Sequence, residues 1–154
     1  MKVADNALDR VLRIIGLAAL AAVTIFVVVR WQQIPDSVPS HYNIMGEVDA
    51  WSRKSIILFP VGMGWFVYVM MTVLGSLPQA WNTGVRVTTG NRYIVFRILK
   101  TMILILNTII SVFMAYMAFT MARTQPLGPA ALILFLIGVV LTTVVCIALL
   151  FRNR

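Results

Sequence analysis

Residues 129–151 read PAALILFLIGVVLTTVVCIALLF, a stretch of the chain without a single charged side chain. An α-helix rises about 1.5 Å per residue, so this stretch is long enough to cross the roughly 30 Å hydrocarbon core of a bilayer. Such a run is typical of a transmembrane helix and unlike the amphipathic helices of water-soluble domains. It predicts that the protein is embedded in a membrane.

Three further uncharged runs precede this one, and the composition agrees with them. Apolar residues make up 60% of the chain and charged residues 12%, whereas charged residues form about a quarter of a soluble domain. We therefore expect an all-α integral membrane protein, a single domain over residues 1–154 in which four transmembrane helices form a bundle. The predicted spans are residues 11–30, 55–77, 101–122 and 130–151, with loops at 30–54 and 78–100.

The first span resembles a signal peptide in one respect, since Lys2, Arg10 and Arg13 precede it. A cleaved signal peptide would end in a small-x-small site, but residues 27–30 are three valines and an arginine. The first span is therefore expected to stay in the membrane.

The positively charged residues set the predicted orientation. Nine of the thirteen Lys and Arg residues fall in the N-terminal segment, the 78–100 loop and the C-terminal tail, and four fall in the other two loops. Because Lys and Arg are retained on the cytoplasmic side, both termini are predicted to be cytoplasmic and the 30–54 loop extracellular, in a bacterial plasma membrane. The net charge of +8 reflects this bias and attraction to anionic lipids, so the expected partner is the bilayer and not nucleic acid.

Few polar groups lie inside the predicted spans. No acidic or basic side chain is deep in a span, which argues against an ion pump or transporter, and Asn107 is expected to hydrogen-bond across the bundle. The single cysteine, Cys146, excludes an intramolecular disulfide and a cysteine-based zinc site. Small residues should form the close-packing faces of two helices, namely Ala18 and Ala22 on the first and Ser111, Ala115, Ala118 and Ala122 on the third.

The 78–100 loop becomes apolar from Tyr93 onward, so the third helix should begin before the membrane does. Arg97 and Lys100 then share one side of this extension. We expect that basic side to lie on anionic lipid headgroups or to dock a cytoplasmic partner.

The 30–54 loop concentrates the reactive side chains, since it holds three of the five acidic residues and the only histidine. Its core reads IPDSVPSHYNIMGEVDAWSRK over residues 34–54. Pro35 and Pro39 prevent the first helix from continuing. Residues 38–43 and 47–51 are predicted to form a short extracellular β-hairpin, joined by a three-residue turn in which Gly46 takes the left-handed conformation.

In that hairpin, His41 lies opposite Asp49 and Asn43 lies opposite Glu47, so all four side chains share one face. His41, Glu47 and Asp49 are candidate ligands for a divalent metal ion; zinc would use the imidazole and carboxylates, whereas calcium or magnesium would prefer the oxygens. A catalytic site would use the metal or a carboxylate to activate water. Alternatively, the two pairs simply close a hairpin lid over the bundle.

The loop resembles a bacterial membrane domain of unknown function that forms the N-terminal module of the Sdp-type toxin-immunity and signalling proteins. The resemblance covers roughly residues 10–77, and the matching residues, in chain order, are Pro35, Pro39, His41, Asn43, Gly46, Asp49 and Lys54. It implies an integral membrane protein. Immunity members protect a producing cell against a secreted peptide toxin and signal to a membrane-held repressor, and they carry further helices beyond this module.

Three functions are compatible with these patterns. The first is recognition, protection or signalling at the outer face, with a secreted peptide or a membrane protein as partner. The second is a small metal-dependent membrane enzyme that uses His41, Glu47 and Asp49, and the third is an accessory subunit of a larger membrane complex. The residues expected to shape the loop or bind its partner are Pro35, Pro39, Asn43, Gly46, Trp51 and Lys54.

Overall fold

The computed structural model describes residues 3–154 as four long helices and one two-stranded hairpin. The helices are α1 (Ala7–Arg30), α2 (Leu58–Ser76), α3 (Arg92–Ala122) and α4 (Pro129–Arg152). The strands are β1 (Ser37–Tyr42) and β2 (Val48–Arg53), which pair antiparallel. All four helices are long and apolar enough to cross a membrane, which confirms the predicted multi-pass, all-α membrane protein with a hairpin.

The helix ends have local causes. At the start of α1, the Asn6 side chain accepts a hydrogen bond from the Asp9 backbone at 2.9 Å and the Asp9 carboxylate accepts one from the Asn6 backbone at 3.2 Å, a capping box. Pro129 occupies the first turn of α4, where its missing N–H costs nothing. Helix α3 begins at Arg92, well before the predicted span at 101, as the apolar pattern after residue 93 indicates.

Helix α3 lies at the centre of the bundle and packs against the other three helices. Its predicted small-residue face is confirmed, since the residues of that face are all buried: Ser111, Ala115, Ala118 and Ala122. Gly64 of α2 allows the closest approach, because a Cβ there would lie 2.6 Å from the Leu20 side chain of α1. Helix α4 is peripheral, and its buried residues are Cys146 and Leu150.

The predicted packing face of α1 was wrong. Ala18 and Ala22 are exposed, Ala22 in a groove between α1 and α3, and the buried face carries Gly16, Leu20, Val23 and Val27. Large aliphatic side chains of α1 fill the space that the small residues of α3 leave. Gly16 is the small residue that α1 contributes, since a Cβ there would lie 3.5 Å from the Ser111 Cβ of α3.

Hydrogen bonds cross the bundle at several levels. Buried Asn107 donates to the Tyr68 carbonyl at 3.3 Å and lies 3.4 Å from the Thr72 hydroxyl, as a cross-bundle role for this amide predicts. The Trp65 indole donates to the Thr24 hydroxyl at 3.0 Å. These contacts tie α1 and α3 to α2.

The two ends of the bundle differ in structure. At the hairpin end, Ile34, Val38 and Ile57 are buried in the same core cluster as the ends of α1 and α3, so the hairpin caps the bundle. At the terminal end, the residues before α1 contact the start of α3, and Asn91 donates to the Asn153 carbonyl at 3.0 Å.

Candidate functional site

The hairpin turn is organised by one side chain, that of Asn43. Its Oδ1 accepts hydrogen bonds from the backbone N–H groups of Met45 at 2.9 Å and Glu47 at 3.0 Å, and its Nδ2 donates to the Glu47 carboxylate at 3.0 Å. The Asn43 N–H also donates to the Glu47 carbonyl at 2.9 Å, and Gly46 has a φ of 74°. The predicted three-residue turn with a left-handed Gly46 is therefore confirmed.

The strands pair in a register that departs from simple alternation. Tyr42 pairs with Val48, but His41 pairs with Ala50 and Pro39 with Trp51. Each strand therefore contains an extra residue, Ser40 in β1 and Asp49 in β2. The predicted register was wrong at His41, because the extra residue Asp49 shifts its pairing to Ala50, and the extra residue Ser40 restores the predicted register at Pro39.

The bulges bring His41 and Asp49 together even though they are not directly paired. His41 Nδ1 lies 2.6 Å from Asp49 Oδ1, and the two side chains are 68% and 42% exposed. The predicted contact between these residues is present. It lies at the surface, where solvent screens the interaction of the two groups.

Glu47 does not join that pair, because its carboxylate is held by Asn43. Within residues 3–154, no group of three or more His, Cys, Asp and Glu side chains is placed to hold a metal ion. The structure thus brings together two of the predicted ligands, His41 and Asp49, and leaves the third, Glu47, in a separate pair. Zinc or calcium binding and metal-assisted catalysis find no support in this geometry.

The turn is fastened to the connection between α3 and α4. The Gly46 carbonyl accepts hydrogen bonds from the backbone of Leu127 at 2.8 Å and of Gly128 at 3.2 Å, and the Tyr42 hydroxyl donates to the Gln125 carbonyl at 3.3 Å. Burial raises the pKa of the Tyr42 phenol above its ordinary value of 10.0, which keeps the hydroxyl protonated as a donor. A Cβ on Gly46 would lie 2.5 Å from the Gly128 carbonyl carbon, so only glycine allows this approach.

The base of the hairpin is closed by Lys54. Its side-chain ammonium lies 3.0 Å from an Asp36 carboxylate oxygen and 5.6 Å from the centre of the Trp31 ring. The backbone N–H of Lys54 donates to the Asp36 carbonyl at 2.9 Å. Pro39 is buried beneath the hairpin, whereas Pro35 is exposed just after the turn that ends α1. Lys54 and Pro39 therefore shape the hairpin.

Large apolar side chains project from this rigid hairpin. Ile44 is 81% exposed, Met45 57% and Trp51 54%. Sequence reasoning named Trp51 and missed Ile44 and Met45. Their position could have revealed them, because tight turns consist mostly of Gly, Asn, Asp and Ser, and large apolar residues are unusual there.

A second group of charged side chains lies at the terminal end, where sequence reasoning named Arg97 and Lys100 but missed their partners Asp5 and Asp9. Arg97 makes a two-pronged contact with the Asp9 carboxylate at 2.7 and 2.8 Å, and Asp9 is fully buried. The Lys100 ammonium donates to an Asp5 carboxylate oxygen and to the Val3 carbonyl, both at 2.5 Å. The prediction that Arg97 and Lys100 lie on lipid headgroups was therefore wrong, because carboxylates from the start of the chain neutralise them.

Neighbouring cations lower the pKa of one carboxyl group in this terminal cluster, that of Asp5. The hydrogen bond from Lys100 and the nearby guanidinium of Arg13 hold the pKa of Asp5 below its ordinary value of 3.8. A sequence signal existed, since Asp5 and Asp9 are four residues apart while Arg97 and Lys100 are three apart. Each pair can therefore occupy one side of a helical turn.

Comparison with known proteins gives one match. Residues 18–64 match the sequence model of a family described as Domain of unknown function (DUF1648). The match covers the second half of α1, the whole hairpin and the beginning of α2, and it leaves α3 and α4 outside. No curated protein and no solved structure matches the chain.

Proposed function

We propose that this protein is a small receptor or immunity-type protein of the bacterial plasma membrane that recognises a secreted, membrane-active peptide through its hairpin. One observation carries the proposal: the turn is held rigidly on the bundle while it exposes Ile44 and Met45. Exposed apolar residues on an ordered loop are typical of a surface that a partner covers.

The rigidity of the turn favours binding. A loop that is already ordered loses little conformational entropy when its partner arrives. Asn43 closes the turn from within, and Gly46 fastens it to Leu127 and Gly128. The tip of the hairpin is therefore presented in one geometry.

The chemistry of the hairpin fits an amphipathic peptide. Ile44, Met45 and Trp51 offer apolar contact area, and aromatic residues and methionine are enriched at protein interfaces. The exposed His41–Asp49 pair on the same hairpin offers polar contacts. A peptide with one apolar and one polar side can use both.

Two further findings support the proposal. The family match at residues 18–64 includes the hairpin. The loop also resembles the N-terminal module of the Sdp-type proteins, whose immunity members act against a secreted peptide toxin. Both similarities cover the hairpin with adjoining parts of α1 and α2, and neither extends to α3 or α4.

The proposal requires the hairpin to face outward, as the distribution of basic residues predicts. In a Cys146→Ala background, Ser37→Cys at the hairpin end should react with an impermeant thiol reagent in intact cells. Thr88→Cys, between α2 and α3, should react only after the cells are opened. The reverse pattern would remove the proposed function.

The function itself is tested by deletion and complementation. Cells without the protein should become sensitive to a membrane-active peptide secreted by their own or neighbouring strains, and the wild-type gene should restore resistance. Ile44→Asp combined with Met45→Asp should fail to restore it. Val87→Asp, which changes an exposed apolar residue between α2 and α3, is the matched control and should complement fully.

The other classes of function make different predictions. Unchanged peptide sensitivity in the deletion strain, or full complementation by the Ile44 and Met45 variant, would contradict peptide recognition. Stoichiometric zinc or calcium in the purified protein would favour the metal-dependent enzyme. Stable co-purification of other membrane chains would favour the accessory subunit.

A further inference from the structure

A cavity of about 220 Å³ lies at the terminal end, between the start of α1, the end of α2 and the start of α3. Because a water molecule takes up about 30 Å³ of liquid, the cavity has room for a small polar group such as a phosphate. Its walls combine charged side chains with residues at the end of α2, among them Asp5, Arg13, Lys100, Gly75, Ser76 and Trp81.

The cations of this cluster differ in how fully their donors are used. Arg97 is paired with Asp9 through two hydrogen bonds, and Lys100 is held by Asp5 and a backbone carbonyl. Arg13 has only a 3.5 Å contact with Asp5, and its buried Nε has no hydrogen-bond partner among residues 3–154. Arg13 is thus the cation in the cavity wall with donors to spare.

The charge balance of the cluster is positive, since three cations face two carboxylates: Arg13, Arg97 and Lys100 against Asp5 and Asp9. The carbonyls at the end of α2 would repel an anion, but two of them are covered. The Val73 carbonyl accepts a hydrogen bond from the Ser76 hydroxyl at 2.6 Å, and the Leu74 carbonyl accepts one from the Trp81 indole at 2.7 Å. The cavity therefore favours an anionic group.

We infer that this cavity binds a phosphate group, recognised by Arg13. A guanidinium matches the oxygens of a phosphate with two parallel hydrogen bonds, which the terminal nitrogens of Arg13 can donate because their contact with Asp5 is as long as 3.5 Å. Tryptophan is enriched at the interface between membrane and water, and Trp81 in the cavity wall is consistent with a cavity at that interface. The phosphate can come from the headgroup of an anionic lipid or from a phosphorylated solute. This inference does not depend on the proposed function of the hairpin.

Calorimetric titration of the full-length protein in phosphate-free, uncharged detergent tests the inference. The probes are dihexanoylphosphatidylglycerol, inorganic phosphate and dihexanoylglycerol, which lacks the phosphate. At least one phosphate-bearing probe should saturate one site, and dihexanoylglycerol should not bind. Saturation by the lipid alone would assign the headgroup, and saturation by inorganic phosphate as well would add soluble phosphate as a source.

Two variants of α1 separate the site from general attraction of anions. Arg13→Gln should weaken the binding of the phosphate-bearing probe about tenfold. Arg10→Gln removes the same charge from an exposed position on the same end of α1 that does not line the cavity, and it should change the affinity less than about twofold. Equal weakening by both variants would overturn the inference.

A third variant guards against misfolding of Arg13→Gln. Ser76→Phe should fill the cavity from α2 and leave the ion pairs of α1 and α3 in place, so phosphate binding should be lost. Retention of wild-type affinity in Ser76→Phe would overturn the inference. So would the absence of saturable binding of both phosphate-bearing probes to the wild-type protein.

Discussion

Both ends of the bundle carry carboxylate–cation pairs, but they differ in how deeply the charges are buried. At the hairpin end, the Asp36 side chain that pairs with Lys54 is 96% exposed. At the terminal end, the Asp9 side chain that pairs with Arg97 is fully buried. A pair in water adds little stability, whereas removing one partner of a buried pair leaves an uncompensated charge. Loss of one partner of an ion pair is therefore expected to destabilise the protein more at the terminal end than at the hairpin end.

The hairpin end is held by hydrogen bonds to backbone groups and not by buried ion pairs. The turn is closed by Asn43 and fastened through the Gly46 carbonyl to Leu127 and Gly128. Exposed side chains such as Ile44 take no part in this framework. Substitution of the exposed side chains is therefore expected to leave the shape of the hairpin unchanged.

The largest expected effect comes from breaking the buried pair. Asp9→Ala should lower the free energy of unfolding by about 3–5 kcal/mol, because Arg97 loses its partner in a buried setting. Asp36→Ala at the hairpin end should cost less than about 1 kcal/mol. Reversible unfolding in mixed micelles measures both. Similar losses in the two variants would contradict the contrast between the ends.

A pair of glycine variants isolates the contact of the hairpin with the α3–α4 connection. Gly46 and Gly84 both have positive φ, but a Cβ on Gly84 has no atom within 4 Å whereas one on Gly46 meets Gly128. Both alanine variants carry the left-handed strain of roughly 1–2 kcal/mol. Gly46→Ala should cost about 1–3 kcal/mol more, since it also forces that contact apart. Equal unfolding free energies would show that the fastening contributes nothing.

The next variants compare the organiser of the turn with the exposed pair. Asn43→Ala should destabilise the protein by about 1–2 kcal/mol, because two backbone donors lose their acceptor. His41→Ala should cost less than about 1 kcal/mol, since its contact with Asp49 is exposed. Thermal unfolding should not change with added zinc, calcium or chelator. Stabilisation by zinc that His41→Ala abolishes would restore the metal hypothesis.

The smallest effect is a pH dependence at the terminal end. The pKa of Asp5 is lowered in the fold, chiefly by the hydrogen bond from Lys100, so its contribution to stability is present above its ordinary pKa of 3.8. As the pH falls below 3.8 and passes the lowered pKa, Asp5 becomes protonated and that contribution is lost. Asp5→Asn should flatten the stability profile in this acidic range relative to wild type. An unaltered profile would exclude Asp5 as its source.

Much of the architecture could be predicted because it depends on neighbouring residues. Uncharged runs long enough to cross a bilayer predict helices whatever they pack against, and the structure has all four. The turn at Gly46 follows likewise from a local pattern, and Asn43 completes it within five residues. The pairing of His41 could not be predicted in this way, because a bulge in each strand depends on how the two strands fit together.

The sequence by itself determined the membrane class, the four helices and the position of the hairpin turn, since hydrophobic length and turn chemistry act locally. Only the tertiary structure decided which face of α1 is buried, where Gly46 is fastened, and that Asp9 neutralises Arg97. Each of these depends on residues far apart in the chain. The energy of a charge or a side chain depends on what surrounds it after folding, so the same arginine can lie on lipid or in a buried pair.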